Sequence, residues 1–92
     1  MKLRVQGSIH EYGKFAEFDN FLEDLLGNKG KKIPQAVPDT FVIVDEVGED
    51  FLRFQYVYGL KTDEITLKLG ENYDFSYEGN AYGFKVTFTL VE

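Results

Sequence analysis

Ninety-two residues make one domain, 1–92, and a chain this short buries only about 60–65% of its unfolded surface, so each apolar position counts. The net charge of −6, from sixteen acids and ten bases, argues against direct nucleic-acid binding, because neutralising phosphates needs a clustered positive face. With no cysteine there is no disulfide framework and no thiolate metal site, and the chain suits a reducing compartment.

The opening alternates. Leu3, Val5 and Ile9 point one way and Lys2, Arg4, Gln6 and Ser8 the other, the pattern of a half-buried strand over 2–9. It contains no continuous apolar run of a leader peptide, and no later segment approaches a membrane span, so the expected location is the cytoplasm. Tyr12-Gly13 interrupts the strand, and the period then changes. Phe15, Phe18, Leu22 and Leu25 recur at three- and four-residue steps, with Phe21 and Leu26 widening the stripe. Glu17, Asp19, Asn20, Glu23 and Asp24 fill the opposite face. This spacing predicts an amphipathic helix over about 14–26, stopped at Gly27. Asn20 and Glu23 also have the spacing of a capping box, which would start the helix later, but Phe15 and Phe18 share the stripe and favour the longer element.

Residues 27–40 hold two glycines, two prolines and three lysines, and read as one long loop. Strands follow. Phe41 to Val47 is almost continuously apolar. After Gly48-Glu49-Asp50, Leu52, Phe54, Tyr56 and Tyr58 share a face of a strand over 51–58. After a turn at 59–63, Ile65, Leu67 and Leu69 point inward from 64–69. Tyr73, Phe75 and Tyr77 line one side of 73–78. Beyond the tight turn Gly79-Asn80, the last strand, 81–91, sets Tyr82, Phe84, Val86, Phe88 and Leu90 against Lys85, Thr87 and Thr89. Short connections imply antiparallel pairing.

The expected fold is α+β: a single helix packed on a mostly antiparallel sheet of five to six strands, in the order β-α-β-β-β-β-β. In order of elements this is similar to the cystatin or monellin grip, an analogy of fold alone, since no motif of those families is present. Nine Phe and six Tyr supply more inward apolar surface than one helix covers. Either the sheet curls strongly, or aromatic surface stays open as an interface.

Few groups could carry chemistry. The sole histidine, His10, stands beside Glu11 and two residues from Ser8, but neighbours on a strand point to opposite faces, so these do not compose a triad. Asp45, Glu46, Glu49 and Asp50 crowd one hairpin without the spacing of a calcium loop. Gly27-Asn28-Lys29-Gly30-Lys31-Lys32 lacks the Gly-Lys-Ser/Thr ending of a phosphate loop. No enzyme, cofactor or metal is expected.

Acids are unevenly spread. Residues 10–26 hold five acids and one base, and 39–50 hold five acids and no base. The leading expectation is a non-enzymatic protein-binding domain that presents an acidic face to a basic partner surface. That face would use Glu17, Asp19, Glu23, Asp24, Asp45, Glu46, Glu49 and Asp50, with Tyr12, Tyr58, Tyr73, Tyr77 and Tyr82 as aromatic anchors. An inhibitor occupying a basic, nucleic-acid-binding groove fits this character, by analogy with small phage-encoded inhibitors. Two alternatives are a subunit of a homo-oligomer or larger assembly, and a small-molecule binder with an aromatic cavity between helix and sheet. No membrane partner is expected.

Overall fold

The computed structural model describes residues 1–92, and it contains no helix. Eight strands follow in chain order: β1 (Lys2–Glu11), β2 (Lys14–Leu22), β3 (Lys32–Pro34), β4 (Thr40–Val47), β5 (Phe51–Tyr58), β6 (Lys61–Lys68), β7 (Asn72–Glu78) and β8 (Tyr82–Val91). They form two four-stranded sheets, ordered β2-β1-β8-β7 and β3-β4-β5-β6, and every pairing between strands is antiparallel. The second sheet is a meander of successive hairpins. The first is closed through its middle by the two terminal strands, with Lys2 opposite Val91 and Glu11 opposite Tyr82.

Strict alternation builds the layer between the sheets. Leu3 and Val5 of β1 and Phe84, Val86, Phe88 and Leu90 of β8 turn inward. Val42 and Val44 of β4, Leu52, Phe54 and Tyr56 of β5, and Ile65 and Leu67 of β6 meet them in one buried cluster. The contact is aromatic at its centre: Phe54 and Tyr56 place their rings edge-on to Phe88 at 5.2 and 5.0 Å between centroids. Burying a side chain of this size stabilises by about 1.5–3 kcal/mol relative to leaving it in water. The sandwich therefore supplies through a second sheet the cover that a helix was expected to give.

The expected helix is strand β2, and the reason lies in the two residues that precede it. Glu11 pairs with Lys14 across a two-residue turn. Both turn residues have positive φ, 49° at Tyr12 and 79° at Gly13, the combination whose twist suits a tight hairpin. The chain thus folds straight back along β1, and the ladder runs to Leu3 opposite Leu22. The apolar spacing is compatible with this outcome. Phe18 and Leu22 are four apart, an even step that keeps both on the core side of a strand. Phe15 and Phe21 fall on the other face and stay 66% and 49% exposed. Three phenylalanines favour a strand, and Asp19 and Asn20 are poor helix formers.

Downstream, Leu25 is buried within a single turn rather than a helical stripe. That turn is held by Asp24, whose carboxylate accepts the Gly27 N–H at 3.2 Å and whose carbonyl accepts the Asn28 N–H at 3.1 Å. The long loop over 27–40 also contains a strand, β3. The element order is therefore eight strands, and the grip analogy does not apply.

Candidate functional site

Backbone hydrogen bonds tie the two sheets together at one end. Leu69 N–H donates to the Asp50 carbonyl and Gly70 N–H to the Leu90 carbonyl, both at 2.8 Å, so the β4–β5 turn, the β6–β7 crossover and the last strand meet at one end. The opposite end carries the Tyr12-Gly13, Gly59-Leu60 and Gly79–Ala81 turns together with the loop before Thr40. Tyr12 N–H donates to the Ala81 carbonyl at 2.9 Å and ties two of these tips together. The molecule measures 42 × 24 × 17 Å, and ten-residue strands rising about 3.3 Å per residue account for the long dimension.

Apolar surface concentrates at this second end. Six large hydrophobic side chains are exposed in the whole chain, and Tyr12, Phe15, Leu60 and Tyr77 among them stand here. Leu60 is fully exposed because Gly59, at φ 59°, turns the β5–β6 hairpin in two residues and leaves Leu60 at its tip. Two open concavities flank Pro38. One, of about 460 Å³, lies between Pro38, Thr40, Leu60, Tyr77, Tyr82 and Phe84. The other, of about 370 Å³, lies between Pro38, Ala36, Ile9 and Phe15.

Behind the first concavity the aromatic rings form a connected ladder. Tyr58 packs on Phe75 at 4.2 Å, Phe75 on Phe84 at 5.6 Å, and Phe84 on Tyr77 and Tyr82, each at 6.0 Å. Burial pushes the Tyr82 hydroxyl pKa up, helped by the nearby carboxylates of Glu11 and Asp39. Tyr56 lies deeper and is fully buried. Desolvation pushes it up to about 12, an effect that Thr40 offsets in part. These phenols are therefore hydrogen-bond donors throughout the neutral range.

Of the aromatic anchors expected from the sequence, Tyr12, Tyr58, Tyr77 and Tyr82 are brought to this end. Tyr73 is not: it lies at the start of β7, and its hydroxyl donates to Asp63. The eight acids do not form one face. Glu17 and Asp19 lie on the outer face of the first sheet, where Arg4 and Asp19 make a bidentate pair at 3.0 and 2.7 Å. The Arg4 hydrogen bond holds the Asp19 carboxyl below its ordinary range. Glu23, Asp24, Asp45, Glu46, Glu49 and Asp50 belong to the end opposite the aromatic concavities. Several are already engaged: Glu23 with Lys2 at 3.7 Å, Glu46 with Arg53 at 3.2 Å, and Asp45, at a bulge in β4, with the Gln55 amide at 2.9 Å.

His10 reaches across Gly83 to Glu78, at 3.5 Å, and not to Glu11. The missing side chain at Gly83 leaves room for the imidazole over the middle strand of that row.

Sequence reasoning missed Asp63, Leu60 and the outward turn of Phe15. Asp63 read as part of a turn, yet it is a β6 residue whose carboxylate accepts the hydroxyls of Tyr58 and Tyr73. The signal was present in Gly59-Leu60, a glycine-first dipeptide between two alternating runs. Taken as a two-residue hairpin, it starts β6 at Lys61 and gives Asp63 the inward parity of Ile65 and Leu67.

Comparison of the chain with protein-family models, with curated proteins and with solved structures finds no match in any of the three. The functional reading therefore rests on this chain's own surface.

Proposed function

We propose that this chain is a non-enzymatic protein-binding domain whose contact surface is the aromatic end of the sandwich. The observation that carries the reading is the gathering of Tyr12, Phe15, Leu60 and Tyr77 at one end of an elongated molecule. Isolated exposed apolar side chains are ordinary, but a group of them around shallow apolar concavities is the surface that partner proteins cover. Tyrosines suit this role because the ring contributes buried area and the hydroxyl stays hydrogen-bonded at the rim. The acidic end has a separate part to play: it steers the molecule towards a partner of positive potential without being the contact.

Affinity capture from lysate of the source organism, with variant baits side by side, tests this. Leu60→Asp with Tyr77→Ser should lose the captured partner, whereas Glu49→Lys with Asp50→Lys should retain it with a weaker dependence on salt. The opposite pattern would place the contact at the acidic end, as an inhibitor of a basic groove requires. Association of the purified protein with itself, abolished by Leu60→Asp, would identify the partner as a second copy.

A further inference from the structure

Three of the four sheet edges are guarded and one is open. β3, at the edge of the second sheet, is three residues long and ends on Pro34. β6 and β7 face each other and are joined where the Tyr73 hydroxyl donates to Asp63. β2 has no such protection: it is nine residues long, holds no proline and no bulge, and pairs with β1 alone. An open edge of that length is a template for a further strand.

The hairpin fixes which backbone groups are free. Lys14 faces Glu11 across a two-residue turn, so the two exchange both of their hydrogen bonds. The pattern repeats at every second residue. Lys14, Ala16, Phe18, Asn20 and Leu22 therefore turn their N–H and C=O groups towards β1. Phe15, Glu17, Asp19 and Phe21 turn theirs away from it, and no loop or turn bonds to any of these groups. The side chains of the same four residues share the outer face of the sheet, where Phe15 and Phe21 are both exposed.

This edge is complementary to itself. Under a two-fold rotation about Phe18, β2 pairs antiparallel with a second β2 over its whole length, and the outward groups meet as hydrogen-bonded pairs. Phe15 then lies opposite Phe21 of the second copy, twice by symmetry, and aromatic cross-strand pairs stabilise a sheet. A register two residues to either side sets Glu17 against Glu17 or Asp19 against Asp19, and loses both aromatic pairs. In the centred register Glu17 faces Asp19, whose charge the bidentate Arg4 already offsets.

We propose that two copies of this chain associate through β2, joining their four-stranded sheets into one continuous sheet across a two-fold axis. The dimer goes beyond the protein-binding reading and does not depend on it. Antiparallel pairing directs the two aromatic ends to opposite poles, and Leu60 and Tyr77 stay open in both copies.

Sedimentation equilibrium of the purified chain from about 1 μM to about 1 mM is the test, and the wild type should pass from monomer to dimer within that range. Glu17→Pro removes an N–H that points away from β1, so the fold should survive and the dimer should be lost. Glu17→Gln relieves the like-charge contacts and should tighten the dimer about fivefold. Cross-linking reads the register, because the chain has no cysteine of its own. Ala16→Cys mixed with Asn20→Cys should give an intermolecular disulfide under mild oxidant, and either variant alone should not. A wild-type chain that stays monomeric throughout would overturn the proposal, and that outcome needs no variant to fold. Cross-linking in any other pattern would overturn it equally. So would a dimer that survives Glu17→Pro but not Leu60→Asp, which is the association expected of the aromatic end.

Discussion

Asp63 on β6 accepts a hydrogen bond from Tyr73 on β7 at 2.9 Å, and this contact joins the facing edges of the two sheets. The same carboxylate accepts the Tyr58 hydroxyl at 3.3 Å from the neighbouring strand. One acid thereby couples two phenols that belong to different layers. The hydrogen bond to Asp63 pushes the Tyr73 hydroxyl pKa up, and burial with the same carboxylate's charge pushes up that of Tyr58.

Replacing Asp63 by asparagine keeps the shape and removes the charge. Folding stability should fall by about 1 kcal/mol, the worth of a hydrogen bond to a charged group at a partly exposed site. The tyrosinate titration of Tyr58 and Tyr73 should move back towards ordinary phenol values. Chemical denaturation and ultraviolet difference titration measure the two effects on the same sample. An unchanged titration would mean that the seam is not held by this carboxylate.

Alkaline pH should unfold the protein earlier than its carboxylates or lysines alone would require. Tyr56, Tyr58, Tyr73 and Tyr82 all hold their protons more tightly folded than unfolded. Their contribution to stability is therefore complete below about pH 10, the value for an unfolded tyrosine. It is lost as pH rises through the folded values, of which Tyr56, at about 12, is the last. Denaturation midpoints followed upward from neutral pH should be level at first and then fall. Tyr56→Phe should shallow the final part of that decline and leave neutral-pH stability unchanged or higher.

Gly7 should not tolerate alanine. A Cβ at that position would fall on the Lys85 carbonyl oxygen of the adjacent strand, with the tip of the Phe18 ring only 3.0 Å away on the other side. A backbone atom cannot yield as a side chain can, so Gly7→Ala should cost about 1–3 kcal/mol. Gly13→Ala meets nothing in space but sits at φ 79°, and should cost about 1 kcal/mol through backbone strain alone. Thermal melts of the two variants would separate the causes, because Phe18→Ala should relieve only part of the first.

Phe88 is the ring on which both Phe54 and Tyr56 rest, and it is fully buried. Phe88→Ala should cost about 3–5 kcal/mol, close to the whole stability of a domain this small. Loss of the near-ultraviolet dichroism of the tyrosines would report it. Leu60→Ala, at a fully exposed tip, should leave the melt unchanged.

Most strands were legible because their period is unambiguous. Leu52, Phe54 and Tyr56 alternate with Arg53 and Gln55, and Phe84 to Leu90 alternate with Lys85, Thr87 and Thr89. Between Lys14 and Leu26 the pattern misled, since apolar residues three and four apart serve a helix face or both faces of an edge strand. What decided the matter was Tyr12-Gly13, a turn dipeptide whose first member is a weak signal on its own. The surplus of inward aromatics was a sound clue that one helix could not cover the sheet, but it did not reveal that the missing cover was a second sheet. At the functional end, tyrosines could be named from the sequence. Their separation from the acids could not, because it follows from which turns share an end of the sandwich.

The pairing of β1 with β8 also sets the order of events in time. Hairpins β4–β5 and β5–β6 join residues close in the chain, whereas Lys2 must find Val91, and closing so long a loop carries the larger entropic cost. The meander can assemble on its own timescale, while the other sheet waits for the two extremities to meet. Substitutions at Val44 or Leu52 should then slow folding, and those at Leu3 or Leu90 should chiefly hasten unfolding. A loop joining the extremities, with the chain reopened at Gly70-Glu71 between two strands that do not pair with each other, would make that meeting a local one and shorten the wait.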